Sequence, residues 1–323
     1  MAQVTGTFDT YDSIGEREDL QDVIYNISPM ETPFVSNAAR MQAKAVFHEW
    51  QTDSLAAAAA NAVLEGNDTS FSTAAATTRV GNYCQISDKS VLVSGTLDAV
   101  DKAGRKNEVS YQVAKRGKEL KRDIEFAMTQ NQASIAGSTA TARQAASLES
   151  WIATNETKNT SGDTTATTPG FSSGLVSAPV DGTTQTTITE ANLKLAIQRA
   201  WTQGGDPKVV LCGPVNKQYI SGFSGIATLY RDNPQVGPAV IIGAADVYVS
   251  DFGEHQIIPS RFNRERTVLV LDMDYLGVAY LRPMTQQKLA KTGDAEKRLI
   301  NCEYTLVVKN EASCAKVSNV IAS

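Results

Sequence analysis

The sequence predicts an α+β protein that carries one long helix and one long two-stranded hairpin. Apolar residues recur at helical spacing between residues 107 and 132, which predicts a helix of about seven turns. Strand-like segments at residues 44–53 and 79–95 flank a stretch rich in Ala, Thr and Ser, which predicts the hairpin. Residues 298–309 alternate between apolar and polar side chains, as expected for a strand with one buried face.

Length and composition set the class of protein. The chain has 323 residues, 42% of them hydrophobic and 20% charged, which is typical of a folded soluble protein of about two average domains. Its formal net charge of −5 argues against a general nucleic-acid binder, because such proteins carry a basic surplus. The acidic N-terminus is no secretion signal, and no apolar run approaches the roughly 20 residues of a membrane span. Cytoplasmic synthesis without a membrane partner is therefore expected.

The N-terminal part of the chain is expected to form an arm followed by the hairpin. Residues 1–43 show little periodicity apart from a short helix predicted at 16–27. In the first strand of the hairpin, successive side chains alternate, so Phe47 and Trp50 lie on opposite faces and neither face is simply solvated. Because an isolated two-stranded hairpin is marginally stable in water, the hairpin at 44–94 is expected to need cover from elsewhere.

The C-terminal half is predicted to begin with a loop and to continue as a compact α+β unit. Residues 136–188 are dominated by Ser, Thr, Gly and Ala and are interpreted as a surface loop with a short apolar patch at 148–152. A helix is predicted to begin after Thr187 or Thr189. The buried strand KVVLCG follows, and then a helix that begins at Pro214.

Two short motifs resemble catalytic sites but lack the partners that the chemistry requires. His48-Glu49 opens like the His-Glu-x-x-His helix of zinc proteases, yet the residue four after His48 is Thr52, so the second imidazole is missing. Residues 170–174, GFSSG, match the nucleophile elbow of serine hydrolases, but no apolar strand precedes Ser172. A flexible loop is therefore the favoured interpretation of that segment.

The remaining polar candidates indicate structural roles. His255, the second histidine of the chain, is expected in a loop, and Asp272 and Asp274 would share one face of a strand without a third cation ligand. The four cysteines stand singly and are expected to be buried thiols in a reducing compartment, while a bond between Cys302 and Cys314 is left open. No catalytic residue, metal site or cofactor is predicted.

Six segments spread over most of the chain carry a resemblance to a known family. They are SPMETPF (28–34), HEWQTD (48–53), EGNDTS (65–70), VSGT (93–96), ELKRDIE (119–125) and GGDPKVVLCGP (204–214). In this order and spacing, they resemble the major capsid proteins of tailed bacteriophages. The resemblance implies an α+β chain with the Hong Kong 97-like phage capsid fold.

The resemblance also implies a division of the chain and a set of contacts. The expected parts are an N-terminal arm (1–43), an extended-loop hairpin (44–94), a peripheral domain with a spine helix and the Ser/Thr-rich loop (95–189), an axial domain (190–288) and C-terminal strands that return to the peripheral domain (289–323). The hairpin would overlap a neighbouring subunit. Its candidate inter-subunit contacts are Phe47, His48, Glu49, Trp50, Arg79 and Tyr83.

The function that the resemblance implies is that of a major capsid protein of the virion, synthesised in the host bacterial cytoplasm. The chain would self-assemble through pentamers and hexamers into an icosahedral head that encloses double-stranded DNA without sequence-specific binding. Separate scaffold and portal proteins would be its partners. Covalent cross-linking is not expected, because no lysine lies between Lys44 and Lys89. The alternatives are an encapsulin-like cargo shell of the same fold and a serine hydrolase that uses Ser172.

Overall fold

The chain combines helices and strands in a computed structural model that describes residues 28–321 apart from 69–70, 72, 103, 160–166 and 224–245. The helices are α1 (Pro33–Asn37), α2 (Gly95–Ala99), α3 (Glu108–Thr129), α4 (Leu148–Trp151), α5 (Glu190–Thr202) and α6 (Pro214–Ser221). The strands are β1 (Ala39–Gln42), β2 (Phe47–Thr52), β3 (Thr78–Tyr83), β4 (Gln85–Ser94), β5 (Glu156–Lys158), β6 (Gly170–Ser172), β7 (Leu175–Ser177), β8 (Val209–Cys212), β9 (Val247–Ser250), β10 (Gly253–Pro259), β11 (Thr267–Leu271), β12 (Leu276–Lys288), β13 (Ala295–Val308) and β14 (Ala315–Ser318). The helix predicted at 16–27 lies outside the described residues.

Helix α3 confirms the long helix that the apolar spacing predicts. Asn107 caps its N-terminus by accepting a hydrogen bond from the backbone N–H of Ser110 at 2.7 Å. Leu120, Ile124 and Met128 lie on one face, are almost fully buried, and join an apolar cluster that includes residues of β13. Burial of this face holds α3 against β4 and β13.

A four-stranded sheet with the order β1-β12-β13-β4 supports α3. The alternation predicted at 298–309 is confirmed, since every apolar position of that face is at most 4% exposed: Ile300, Cys302, Tyr304, Leu306 and Val308. The expectation of only one buried face is wrong, because Glu303, Thr305 and Val307 on the other face are buried as well. Glu303 carries a charge. It accepts hydrogen bonds from Arg143 at 2.5 Å and Arg282 at 2.8 Å, which compensates for the burial of its charge.

A six-stranded sheet with the order β5-β14-β11-β8-β10-β9 forms the second layer. Strand β11 is buried on both faces. Leu269 and Leu271 join the apolar cluster under α3, whereas Val268 and Val270 join a second cluster with residues of α5 and α6. This strand therefore connects the two cores through alternating side chains. In the part of the chain that is described, no helix is long and apolar enough to cross a membrane.

The segment at 79–95 forms two strands where one was expected. Strand β3 pairs with β2, but β4 pairs with β13 over the full register from Gln85 to Ser94. The break falls at Cys84, whose backbone N–H donates to Val46 O at 2.8 Å. The two-stranded hairpin therefore ends at Tyr83, and residues 85–94 belong to the larger sheet.

Two further segments differ from expectation. Strand β12 lies in the stretch assigned to the axial domain but pairs with β13, while the C-terminal β14 pairs with β11 and β5 of the six-stranded sheet. Residues 145–152 of the expected surface loop are buried, because the apolar patch around α4 joins the main cluster. Sheet pairing between distant strands, which local sequence does not encode, decides both differences.

Candidate functional site: the extended hairpin

The hairpin formed by β2 and β3, called here the hairpin base, presents two chemically different faces. Phe47 lies opposite Tyr83, with ring centroids 4.5 Å apart, and Glu49 forms an ion pair with Arg79 at 2.9 Å on the same face. Because Arg79 is mostly exposed, this ion pair contributes at most about 1 kcal/mol to stability. This outward face is partly apolar and is open to solvent.

The inward face of the hairpin base is covered by the same chain. The rings of Trp50 and Trp151 are 5.5 Å apart, and Trp151 in turn stacks on Phe171 at 5.7 Å. Trp151 is only 2% exposed, and Trp50 also packs against the small cluster around Cys84. The base therefore finds apolar cover within its own chain, so the expectation that the hairpin needs cover from elsewhere does not hold for its base.

Asn82 fastens the hairpin base to the core and was not identified from the sequence. Its side-chain oxygen accepts from Ala146 N at 2.9 Å, and its amide donates to Leu306 O at 3.0 Å and more weakly to Ala146 O at 3.3 Å. The side chain is fully buried, so these bonds have no competition from water. A single Asn in a strand gives no sequence signal for such a role.

Gly81 allows the two strands of the base to approach closely. A Cβ atom at this position would lie 2.8 Å from both His48 O and the end of the Phe47 ring. Any larger residue would push β2 and β3 apart.

His48 lies on the inward face, next to Trp50 with ring centroids 5.9 Å apart. Burial lowers its pKa, which favours the neutral imidazole at neutral pH. Among the described residues no group of three His, Cys, Asp or Glu side chains could hold a metal ion. His48 and Glu49 point to opposite faces of β2, as the strand alternation requires.

The hairpin tip, residues 53–77, lacks intramolecular cover. All of its described residues are exposed, including the large apolar side chains of Leu55 (99%), Val63 (71%), Leu64 (84%) and Phe71 (95%). A turn at Gly66, with φ of 78° and a hydrogen bond from Asn67 N to Leu64 O, reverses the chain. Large apolar side chains left in solvent in this number indicate a contact surface for another molecule.

The serine of the GFSSG segment is not placed for catalysis. Ser172 ends β6, and Ser173 and Gly174 form the two-residue turn to β7 with φ of 51° and 85°. This strand–turn–strand geometry differs from the strand–turn–helix of a nucleophile elbow. It also corrects the interpretation of the segment as a flexible loop, because Phe171 on β6 is packed against Trp151.

His255 lies in strand β10, although a loop was expected. Its ring is buried between Pro207 O, 2.5 Å from Nδ1, and Ser250 Oγ, 2.7 Å from Nε2. Burial lowers its pKa, so the neutral ring is favoured. Both ring nitrogens are occupied by structural hydrogen bonds, which indicates a role in holding β9 against β10.

Asp272 and the cysteines have structural roles. Asp272 follows β11 and caps the short 3-10 helix Met273–Tyr275 by accepting a hydrogen bond from Asp274 N. The two aspartates therefore do not share a strand face, although this was expected.

All four cysteines are free and buried, as predicted, and the bond left open between Cys302 and Cys314 is not formed. Burial raises the pKa of both thiols to about 11.

A comparison with protein families identifies the family of this chain. The model of the family described as SU10 major capsid protein matches residues 3–320. The chain belongs to the SU10 major capsid protein family. Members of this family are structural proteins of phage capsids, which confirms the resemblance found in the sequence and favours a phage capsid protein over an encapsulin-like shell or a hydrolase.

A relative of this chain agrees with this assignment. The major capsid protein of Escherichia phage Phieco32 is 36% identical over 127 residues, which are 39% of this chain and 36% of that protein. The chain therefore spans about a third of the length of the curated relative that it matches.

Solved structures confirm the fold. The capsid asymmetric unit of cyanophage A-1(L) superposes with a TM-score of 0.62 at 13% identity, covering 97% of this chain and 98% of that one. A chain of Gordonia phage Cozz gives 0.61 at 12% identity, covering 99% and 98%. The α+β Hong Kong 97-like fold is thus confirmed.

Proposed function

We propose that this chain self-assembles through pentamers and hexamers into an icosahedral head that encloses double-stranded phage DNA, with separate scaffold and portal proteins. The observation that carries the proposal is the hairpin tip, where four large apolar side chains lie in solvent on a hairpin whose base is firmly attached. Family membership as a phage major capsid protein supports it.

The physical reason is that the apolar side chains of the hairpin tip are not covered by the described part of their own chain. Full burial of a Val, Leu or Phe side chain contributes about 1.5–3 kcal/mol, and the described part of the same chain offers the tip no such burial. A neighbouring subunit supplies the missing surface. In a closed lattice, later contacts become effectively intramolecular, so individually weak contacts suffice.

The candidate contact residues divide into two groups on this proposal. Phe47, Glu49, Arg79 and Tyr83 form the outward face and contact the neighbouring subunit. Trp50 and His48 face inward and set the direction in which the tip projects.

The test is assembly of tip variants, followed by electron microscopy and sedimentation of protein co-produced with the products of its neighbouring genes. We expect Leu64→Ser combined with Phe71→Ser to reduce closed shells at least tenfold. The matched control combines Leu175→Ser with Val180→Ser, two exposed apolar residues outside the hairpin that are 41% and 56% exposed, and should assemble normally. Shell yield equal to wild type for the tip variant would refute the proposal.

DNA enclosure is tested separately on heads purified from infected cells. Nuclease-treated heads should retain double-stranded DNA of phage origin, released only when the shell is opened. Shells that contain only protein cargo would support the encapsulin-like alternative.

A further inference from the structure

The exposed face of α3 that borders the first described residues of the chain is basic. Lys115, Lys118 and Arg122 follow one another at helical spacing and, with Met30 and Tyr111, line a shallow groove. Lys115 and Lys118 are exposed, and neither contacts a carboxylate among the described residues. Arg116, by contrast, is paired with Glu119 at 2.6 Å.

The basic character extends over the N-terminal half of α3 and the turn before it. Between residues 102 and 122 the sequence has eight Lys or Arg and two Glu, a formal net charge of +6 in a chain whose total is −5. A patch of this sign requires an anionic partner or solvent.

The segment just before the groove has the opposite charge. Residues 1–27 contain six carboxylates and one basic residue, Arg17, so their formal net charge is −5. Five of the six carboxylates lie between Asp12 and Asp22, which is the part of the arm nearest to the described chain.

The first described residues of the chain run along α3 toward the basic groove. Glu125 accepts hydrogen bonds from the backbone N–H groups of Phe34 and Val35 at 2.9 and 2.8 Å. One turn nearer the start of the helix, Arg122 donates to Pro29 O at 3.5 Å. Each step toward the N-terminus of the chain is thus a step toward the N-terminus of α3.

The length of chain before Ser28 is sufficient for its carboxylates to reach the lysines. Ser28 already lines the groove beside Lys118. The six residues from Ser28 back to Asp22 span at most about 20 Å, whereas the helix rises only about 10 Å from Arg122 to Lys115.

We propose that residues 9–22 of the N-terminal arm dock on the basic face of α3 of the same chain. The arm then acts as an internal screen, which neutralises Lys115 and Lys118 in the free subunit. This docking is independent of the proposed assembly, because it concerns a single chain.

Residues 1–27 contain a natural probe for this contact, since Arg17 is their only trypsin site. The experiment compares the rate of cleavage after Arg17 in the full-length native chain with the rate in the urea-denatured chain. We expect native protection that weakens with salt, because exposed ion pairs are screened.

Three variants form a double-mutant cycle: Lys115→Gln with Lys118→Gln, Asp19→Asn with Asp22→Asn, and all four changes together. Each pair of changes should raise native cleavage about fivefold, and the combination should add little more, as expected for groups that pair with each other. The control, Lys194→Gln with Lys208→Gln, removes the same charge from exposed positions elsewhere and should leave protection unchanged.

Three outcomes would overturn the inference. If the two pairs of changes act additively, or if the control has the same effect, the arm does not contact this face. If protection depends on protein concentration, the arm docks on another subunit. Amide exchange of residues 9–22 in the same variants checks that altered cleavage reflects docking.

Discussion

The base and the tip of the extended hairpin differ in where their apolar side chains are covered. At the base, Trp50 packs against Trp151 and Asn82 bonds to two distant backbone segments, so the chain holds these residues itself. At the tip, Leu64 and Phe71 are almost fully exposed. The difference shows that one supersecondary unit can fold at one end and remain available for association at the other.

The largest loss of stability is expected from a substitution at the hairpin base. Trp151→Ala should lower the free energy of unfolding by about 3–5 kcal/mol, because it removes a buried ring between Trp50 and Phe171. Trp50→Ala should have a smaller effect because Trp50 is only partly buried. Urea unfolding followed by circular dichroism measures both. Trp151→Phe is the control, since it keeps an aromatic ring and should cost much less.

Removal of the Asn82 side chain should have the next largest effect. Asn82→Ala deletes its hydrogen bonds to Ala146 and Leu306 and leaves buried backbone groups without partners, so a loss of about 2–3 kcal/mol is expected in urea unfolding. Asn67→Ala, at an exposed position of the tip, is the control and should be neutral. Equal stability of the two variants would contradict the anchoring role of Asn82.

Glu125→Gln should have a smaller and pH-dependent effect. Gln can accept only one of the two hydrogen bonds from Phe34 and Val35, so a loss of about 1 kcal/mol is expected near pH 5. Burial raises the pKa of Glu125 above its ordinary value of 4.5. The folded chain therefore holds this proton more tightly than the unfolded chain, and the contribution of Glu125 to stability falls as the pH rises through the raised pKa.

The difference in stability between wild type and Glu125→Gln should accordingly shrink as the pH rises above 4.5, the ordinary pKa of the carboxyl group. Unfolding titrations at several pH values measure it. A difference that grows with pH would show that the two backbone hydrogen bonds outweigh the cost of burying the charge.

The smallest effect on stability is expected at the tip. Leu64→Ser with Phe71→Ser should change the free energy of unfolding by less than about 0.5 kcal/mol, because both side chains are exposed. The same variant should impair assembly strongly. Destabilisation comparable to Trp151→Ala would show that the tip is covered within its own chain and would remove the contrast with the base.

Sequence and structure agree best where the signal is local and periodic. The stripe through Leu120, Ile124 and Met128 predicted α3, and the alternation from Ile300 to Val308 predicted β13. The strand β2 was also predicted, together with the opposite orientation of Phe47 and Trp50. Burial of the four thiols followed from their isolated positions and apolar surroundings.

The candidate site was predicted only in part, because its contacts join residues far apart in sequence. The hydrogen bonds of Asn82 reach across 64 and 224 residues, and the Trp50–Trp151 contact joins the hairpin to a segment interpreted as surface loop. The placement of His255 in a strand likewise depends on β8 and β9 as neighbours.

The sequence by itself determined the helix α3, the strands β2 and β13, the resemblance to the family, and the acidic and basic segments at the N-terminal end, because periodicity, motif order and charge are properties of the linear chain. Only the tertiary structure decided that the hairpin base is covered by Trp151 while the tip is not, and that β4 leaves the hairpin for the larger sheet. Cover and strand pairing depend on surfaces that distant segments create together, and no single segment encodes them.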